Sequence, residues 1–140
     1  MLYHGAIRRR LVNQGLTRSQ EDYLECIGLL IHQAGEARLT DVALSMKVTK
    51  PSAHRAVDKL KQLGMVKHEA YETISLTEEG IALADNIIER HRALKQFLVE
   101  RLKVKESTAM EDACRMEHAI SQETMDKLIL YLKKYEEKSD

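Results

Sequence analysis

"VTKPSAHRAVDKLKQLGMV", Val48–Val66, is the stretch on which the fold turns. Thr49 is a good N-cap, and Pro51 stands at the first helical position, where its missing N–H costs nothing. The spacing predicts a helix over residues 51–63, stopped by Gly64. Ala53, Ala56, Val57, Leu60 and Leu63 recur at helical period and form its core face. Ser52, Arg55, Lys59 and Gln62 lie opposite, and Lys50 stands at its start. Working backward, "KVTK" reads as a turn. Before it, a short helix over 41–46, capped by Thr40, is expected to bury Val42 and Leu44. Further back, Ser19 is expected to cap a helix over 20–34 with the stripe Tyr23, Leu24, Ile27, Leu30 and Ile31, closed by Gly35. Working forward, "MVKHE" (65–69) and "TISL" (73–76) read as two strands with "AYE" at the tip.

Helix, short helix, turn, helix and hairpin is the order of a winged helix-turn-helix. The polar face of the third helix then reaches phosphates and base edges in the major groove. Charge agrees locally. Net charge is zero, but Arg38, Lys47, Lys50, Arg55, Lys59, Lys61 and Lys67 face only Asp41 and Asp58 between residues 38 and 68. From residue 106 to 140 nine acids oppose five bases, so the two halves differ in the partners they favour. Thr49, Lys50, Ser52, Arg55 and Lys59 are the candidate DNA-contacting residues.

Thr77 is expected to cap a long helix over 78–102, and residues 103–106 break the pattern. A fifth helix carries "DACRMEHAIS", and Ser121 caps a sixth. Within the fifth, Cys114, Glu117 and His118 fall at i, i+3 and i+4, which share one helical face. A thiol, a carboxylate and an imidazole together are donors for a divalent transition metal. Asp22 and Glu25 on the first helix, and His91 on the long one, can add to them. Each also has a plainer explanation: Asp22 lies in a first helical turn, where any acid is favoured, and His91 sits in the surface-like "ERHR". The sixth helix shows Met125, Leu128, Ile129 and Leu132 on one face, which is expected to build a homodimer together with the fifth helix and part of the long one.

Two cysteines exclude a disulfide framework, and no stretch approaches a membrane span. The basic start is not followed by an apolar run, so a signal peptide is not expected and the protein is read as cytoplasmic. An enzyme is not expected either, because a di-metal carboxylate bundle needs paired Glu-x-x-His segments.

The segments "SQEDYLECI", "VTKPSAHRAVDKLKQLGMV", "ISLTEEG", "RHRALKQFL" and "DACRMEHAIS" resemble the diphtheria toxin repressor and manganese transport regulator family over Ser19 to Leu132. The resemblance implies a mainly α chain: residues 1–18 an N-terminal extension, 19–77 a winged helix-turn-helix, 78–140 a helical metal-binding and dimerisation domain. It implies a repressor that binds operator DNA as a homodimer when Mn(II) or Fe(II) is bound, with no membrane partner, controlling metal homeostasis. Asp22 and Glu25 match first-helix ligands of the manganese branch, His91 the long-helix ligand, and Glu117 and His118 ligands of both branches. Cys114 matches the iron branch. There are departures. The iron branch has methionine at Asp22, and its ancillary site has a glutamate at Lys95 and a histidine at Met110. A short member without an SH3-like domain is therefore expected, with a hybrid ligand set that ties the reading head to the dimer half. The alternative is a winged-helix regulator answering to a small molecule or to oxidation of Cys114.

Overall fold

The computed structural model describes residues 15–138. Most of the N-terminal extension expected over residues 1–18 lies outside them. The elements run α1 (Arg18–Ala34), α2 (Leu39–Met46), α3 (Lys50–Gln62), β1 (Val66–Lys67), β2 (Ser75–Leu76), α4 (Glu78–Gln96), a π-helical turn (Phe97–Arg101), α5 (Glu106–Met116) and α6 (Gln122–Lys138). Two compact units divide within α4, one ending at Asn86 and the other beginning at Ile87.

In the N-terminal unit α1, α2 and α3 pack on one another. Leu24 and Ile27 of α1, Val42 of α2, and Ala53, Val57 and Leu60 of α3 are fully buried there. Each of the larger side chains among them contributes about 1.5–3 kcal/mol by leaving water. The cap of α1 is Thr17, not Ser19. Thr17 Oγ1 accepts from the Gln20 amide while Gln20 Oε1 accepts from the Thr17 amide, a reciprocal capping box that starts the helix two residues before its expected beginning. Gly35 closes α1 at φ 82°, a left-handed angle that glycine adopts without a Cβ clash. Helix α2 starts two residues earlier than expected and buries Val42 and Ala43. Leu44 is 74% exposed, so its placement in the core is corrected. The third helix keeps the expected Thr49 cap, whose Oγ1 accepts from the Ser52 amide. Ala53, Val57 and Leu60 line its core face, whereas Ala56 is half-buried and Leu63 is exposed past the helix end.

The hairpin is shorter than "MVKHE" and "TISL" implied. Pairing is antiparallel with Val66 opposite Leu76 and Lys67 opposite Ser75. Beyond Lys67 the chain folds into the tip instead: the Glu72 amide donates to the Glu69 carbonyl, and Lys61 Nζ donates to the His68 carbonyl. A third extended segment, absent from the sequence reading, bridges at Ala37 opposite Ile74.

In the C-terminal unit Ala93, Leu94, Ala113, Met125 and Leu132 form a core, with Phe97, Met116, Ile120, Leu128 and Ile129 packed around it. Met125 and Leu132 of α6 are therefore spent inside their own unit, while Leu128 and Ile129 stay half-buried beside them. The apolar side chains that the unit leaves exposed are Leu102, Met110, Leu130, Tyr131 and Tyr135. The long helix stops at Gln96 rather than near Leu102. The next turn widens, with the Leu102 amide on the Phe97 carbonyl, and Lys103 turns the chain at φ 58°. Arg101 lies over the Tyr135 ring at 3.6 Å, a cation–π contact that holds the widened turn to α6.

Candidate metal centre and DNA-reading face

The outward face of α3 carries Pro51, His54, Arg55, Asp58, Lys59 and Gln62, all exposed. Lys50 at its first turn and the cap residue Thr49 are exposed as well. Ser52 differs. It is half-buried, and its Oγ accepts from Thr49 Oγ1 at 3.0 Å and from an Arg55 guanidinium nitrogen at 3.2 Å. That chain of hydroxyls aims the guanidinium, so Ser52 orients Arg55 from within the helix. Three features of this surface were not singled out from the sequence. His54 Nδ1 stands 3.5 Å from Asp58 Oδ2 on the same face. Lys61, counted with the basic patch, is engaged by the hairpin. Tyr71, fully exposed at the hairpin tip with φ 65°, is presented to whatever the hairpin meets.

Asp22 and Glu25 stand half-buried on α1, one turn apart. Beside Glu25 is Cys26, whose thiol pKa is raised by burial, against a lowering hydrogen bond from Ser45 and a smaller raising push from Glu25.

In the C-terminal unit the triplet Cys114, Glu117 and His118 needs a correction. Helix α5 ends at Met116, so Cys114 lies within the helix, Glu117 at its end and His118 past it. Glu117 is the C-cap, still helical at φ −58°, ψ −29°, with its amide on the Ala113 carbonyl. His118 lies in the turn beyond. Past the end of α5 the chain is held from outside. Arg90 of α4 donates to the carbonyls of Glu117 and Ile120.

The result is a convergence on one carboxylate. Glu117 is 1% exposed. His91 Nδ1 lies 3.0 Å from its Oε2, and His118 Nε2 lies 3.2 Å from its Oε1. Oε1 is buried without hydrogen-bond geometry to any partner among the described residues. A buried carboxylate oxygen left so is costly, and a cation satisfies it. One carboxylate between two imidazoles, each on a different oxygen, is also a donor set suited to first-row divalent metals. The residues thus fit a metal ion. Cys114 is half-buried one turn earlier on α5 and is in no disulfide among the described residues. At two of the departures from the iron branch, Lys95 Nζ pairs with Glu106 Oε1 at 3.2 Å, and Met110 is exposed.

Arg90 was missed in the sequence. Its signal is that a cation sits in the buried stripe Leu83, Ile87, Leu94 and Leu98, where an apolar residue belongs.

Among the described residues no helix is long and apolar enough to cross a membrane. Residues 15–74 match the N-terminal DNA binding domain of the iron dependent repressors, and residues 77–140 match their metal binding and dimerisation domain. A transcriptional regulator of the HTH type from Methanocaldococcus jannaschii is 38% identical over 124 residues, covering 88% of this chain and 99% of that protein. The transcriptional regulator MntR of Escherichia coli is 36% identical over 115 residues, covering 82% of this chain and 74% of its own. A solved manganese-dependent transcriptional repressor in complex with manganese superposes with a TM-score of 0.72 at 27% identity, covering 81% of this chain and 52% of its own, so this chain spans about half of that one. A regulator answering to a small molecule or to thiol oxidation is not favoured by these likenesses. With a domain for DNA followed by a domain for metal and dimerisation, and a buried carboxylate held between two imidazoles in the second, this chain belongs to the iron dependent repressor family of metal-dependent transcriptional regulators.

Proposed function

We propose that this protein represses transcription by binding operator DNA as a homodimer when Mn(II) or Fe(II) is bound, in the cytoplasm, as part of metal homeostasis. The observation that carries the reading is Glu117, buried between His91 and His118. Cys114 joins them as a softer donor, and Asp22 and Glu25 stay in the ligand set on the strength of the resemblance. When bound, the metal supplies the positive charge that these acidic groups lack. His91, Glu117 and His118 receive it as a carboxylate and two imidazoles already turned toward one another. We take residues 19–77 as the reading domain and 78–140 as the metal and dimer domain. The dimer surface is drawn from Leu102, Met110, Leu130, Tyr131 and Tyr135, the apolar groups that the second unit leaves exposed. A dimer places two α3 helices on successive major grooves about 34 Å apart.

Operator binding followed by fluorescence anisotropy without oxygen tests the reading. Mn(II) and Fe(II) are expected to activate with little preference between them, a chelator to reverse both, and Zn(II) to activate less. Zinc favours a tetrahedron, while the carboxylates favour harder ions with higher coordination. Cys114→Glu makes the set all-hard and is expected to shift the response toward Mn(II). Metal-independent binding, or zinc as the best activator, contradicts the reading.

On the DNA side, Lys59→Ala is expected to weaken operator binding and to flatten its salt dependence by about one unit, as the loss of one phosphate contact does. If affinity and slope both stay unchanged, Lys59 is outside the interface. Arg55, with its fork steadied by Ser52, is the candidate for reading guanine.

A further inference from the structure

The ligand-bearing turn after α5 is fastened by one side chain that is not itself a ligand. Arg90 is 7% exposed. Its Nε donates to the Glu117 carbonyl at 2.9 Å, and Nη2 donates to the same oxygen and to the Ile120 carbonyl at 2.7 Å. Its Nη1 donates to Gln122 Oε1 at 3.3 Å, at the first residue of α6. One planar group thus joins α4, the end of α5, the turn and the start of α6. It does so from the residue next to His91, and one of the carbonyls it takes belongs to Glu117 itself.

From this geometry we infer that Arg90 is the positioning residue of the metal centre: it sets His91, Glu117 and His118 at their mutual spacing before any cation arrives. The inference rests on the metal reading above and deepens it. A free turn at 117–120 would have to be ordered by the metal, and that ordering would be subtracted from affinity. Fastened to α4, the turn presents its carboxylate and imidazole at no further entropic cost. Only an arginine does this here. The guanidinium spans several acceptors in one plane, whereas a lysine ammonium is a compact charge at a single point. The donors of the C-terminal unit thus stand preset to take the cation.

Arg90→Lys keeps the charge and removes the fork, so it separates geometry from electrostatics. In the full chain, Co(II) and Mn(II) affinities are measured at 25 °C by competition with a chelator, together with the Co(II) visible spectrum and the far-ultraviolet circular dichroism of the metal-free protein. The expected result is a metal-free fold like wild type and a metal affinity weaker by about 10- to 100-fold, the usual loss when a group supporting a ligand is changed. A purely structural role would lower the melting point yet leave the affinity and the Co(II) spectrum alone. An affinity within about threefold of wild type overturns the inference. A second measurement needs no variant. In the metal-free wild type, the amides of Ala119 and Ile120, both bonded to the Met116 carbonyl, are expected to exchange slowly and to change little on adding Mn(II). Protection that arises only with metal overturns the inference even if Arg90→Lys does not fold. The two readings fail separately: a wild type that binds no metal defeats the proposed function, whereas a metal-binding wild type matched by Arg90→Lys defeats only the role of Arg90.

Discussion

Gly80→Ala is expected to destabilise the N-terminal unit by about 3 kcal/mol or more, the upper end of overpacking costs. A Cβ at Gly80 would stand 1.9 Å from the Met65 carbonyl oxygen, 2.9 Å from its carbon and 3.3 Å from its Cα. Ordinary contact between carbon and oxygen begins above about 3.2 Å, so backbone must move by more than an ångström. The Met65 carbonyl has no room to yield. It accepts from the Thr77 amide at 3.0 Å and from Thr77 Oγ1 at 3.1 Å. The same hydroxyl donates to the Gly64 carbonyl and accepts from the Gly80 amide, which caps α4. One small knot therefore joins the end of α3, the root of the hairpin and the start of α4, and glycine is what lets the strands of chain approach. A loss of this size is a large part of the roughly 5–15 kcal/mol that holds a domain folded. It corresponds to a melting point lower by about 10 °C. Thermal and urea unfolding followed by circular dichroism measure it, and a variant that melts within about two degrees of wild type would show that the close approach is not rigid.

Glu117→Gln is expected to abolish the metal response while leaving the metal-free protein at least as stable. The two effects have opposite signs for one physical reason. A carboxylate that is 1% exposed is costly to bury, and an amide of the same shape removes that charge. The amide still bonds His91 across 3.0 Å. Toward a cation, however, the anionic oxygen is the strongest donor of the cluster, and its loss should weaken binding by about 100-fold or more, beyond the effect of changing a mere supporting group. Wild type at a metal concentration 100 times Kd gains about 2.7 kcal/mol from binding, and the variant at that concentration gains almost none. Melting with and without Mn(II), beside operator anisotropy, reads both effects. An Mn(II)-induced rise in melting point equal to that of wild type would remove Glu117 from the centre.

Sequence alone determined the features whose causes are local. The caps Thr49, Thr77 and Ser121 each act on an amide three residues away. The order of helices and hairpin follows from period and punctuation, while the family follows from the motifs that carry the resemblance. Glu117 and His118 stand out by type and spacing, and His91 by type, its role implied by that resemblance. What sequence could not show depends on groups that meet only after folding. Leu44 is exposed and Met125 and Leu132 are buried because neighbouring elements, not helical period, decide which apolar stripe finds a partner. The turn after α5 is fastened by an arginine 27 residues before Glu117, which takes the Glu117 and Ile120 carbonyls, and no residue within α5 announces that. His91 and Glu117 lie 26 positions apart, and the distance between them is set by the packing of α4 against α5 and α6 rather than by any motif. Composition and spacing name the donors, whereas tertiary packing turns them toward one another, buries them and makes the charge costly enough for a cation to matter.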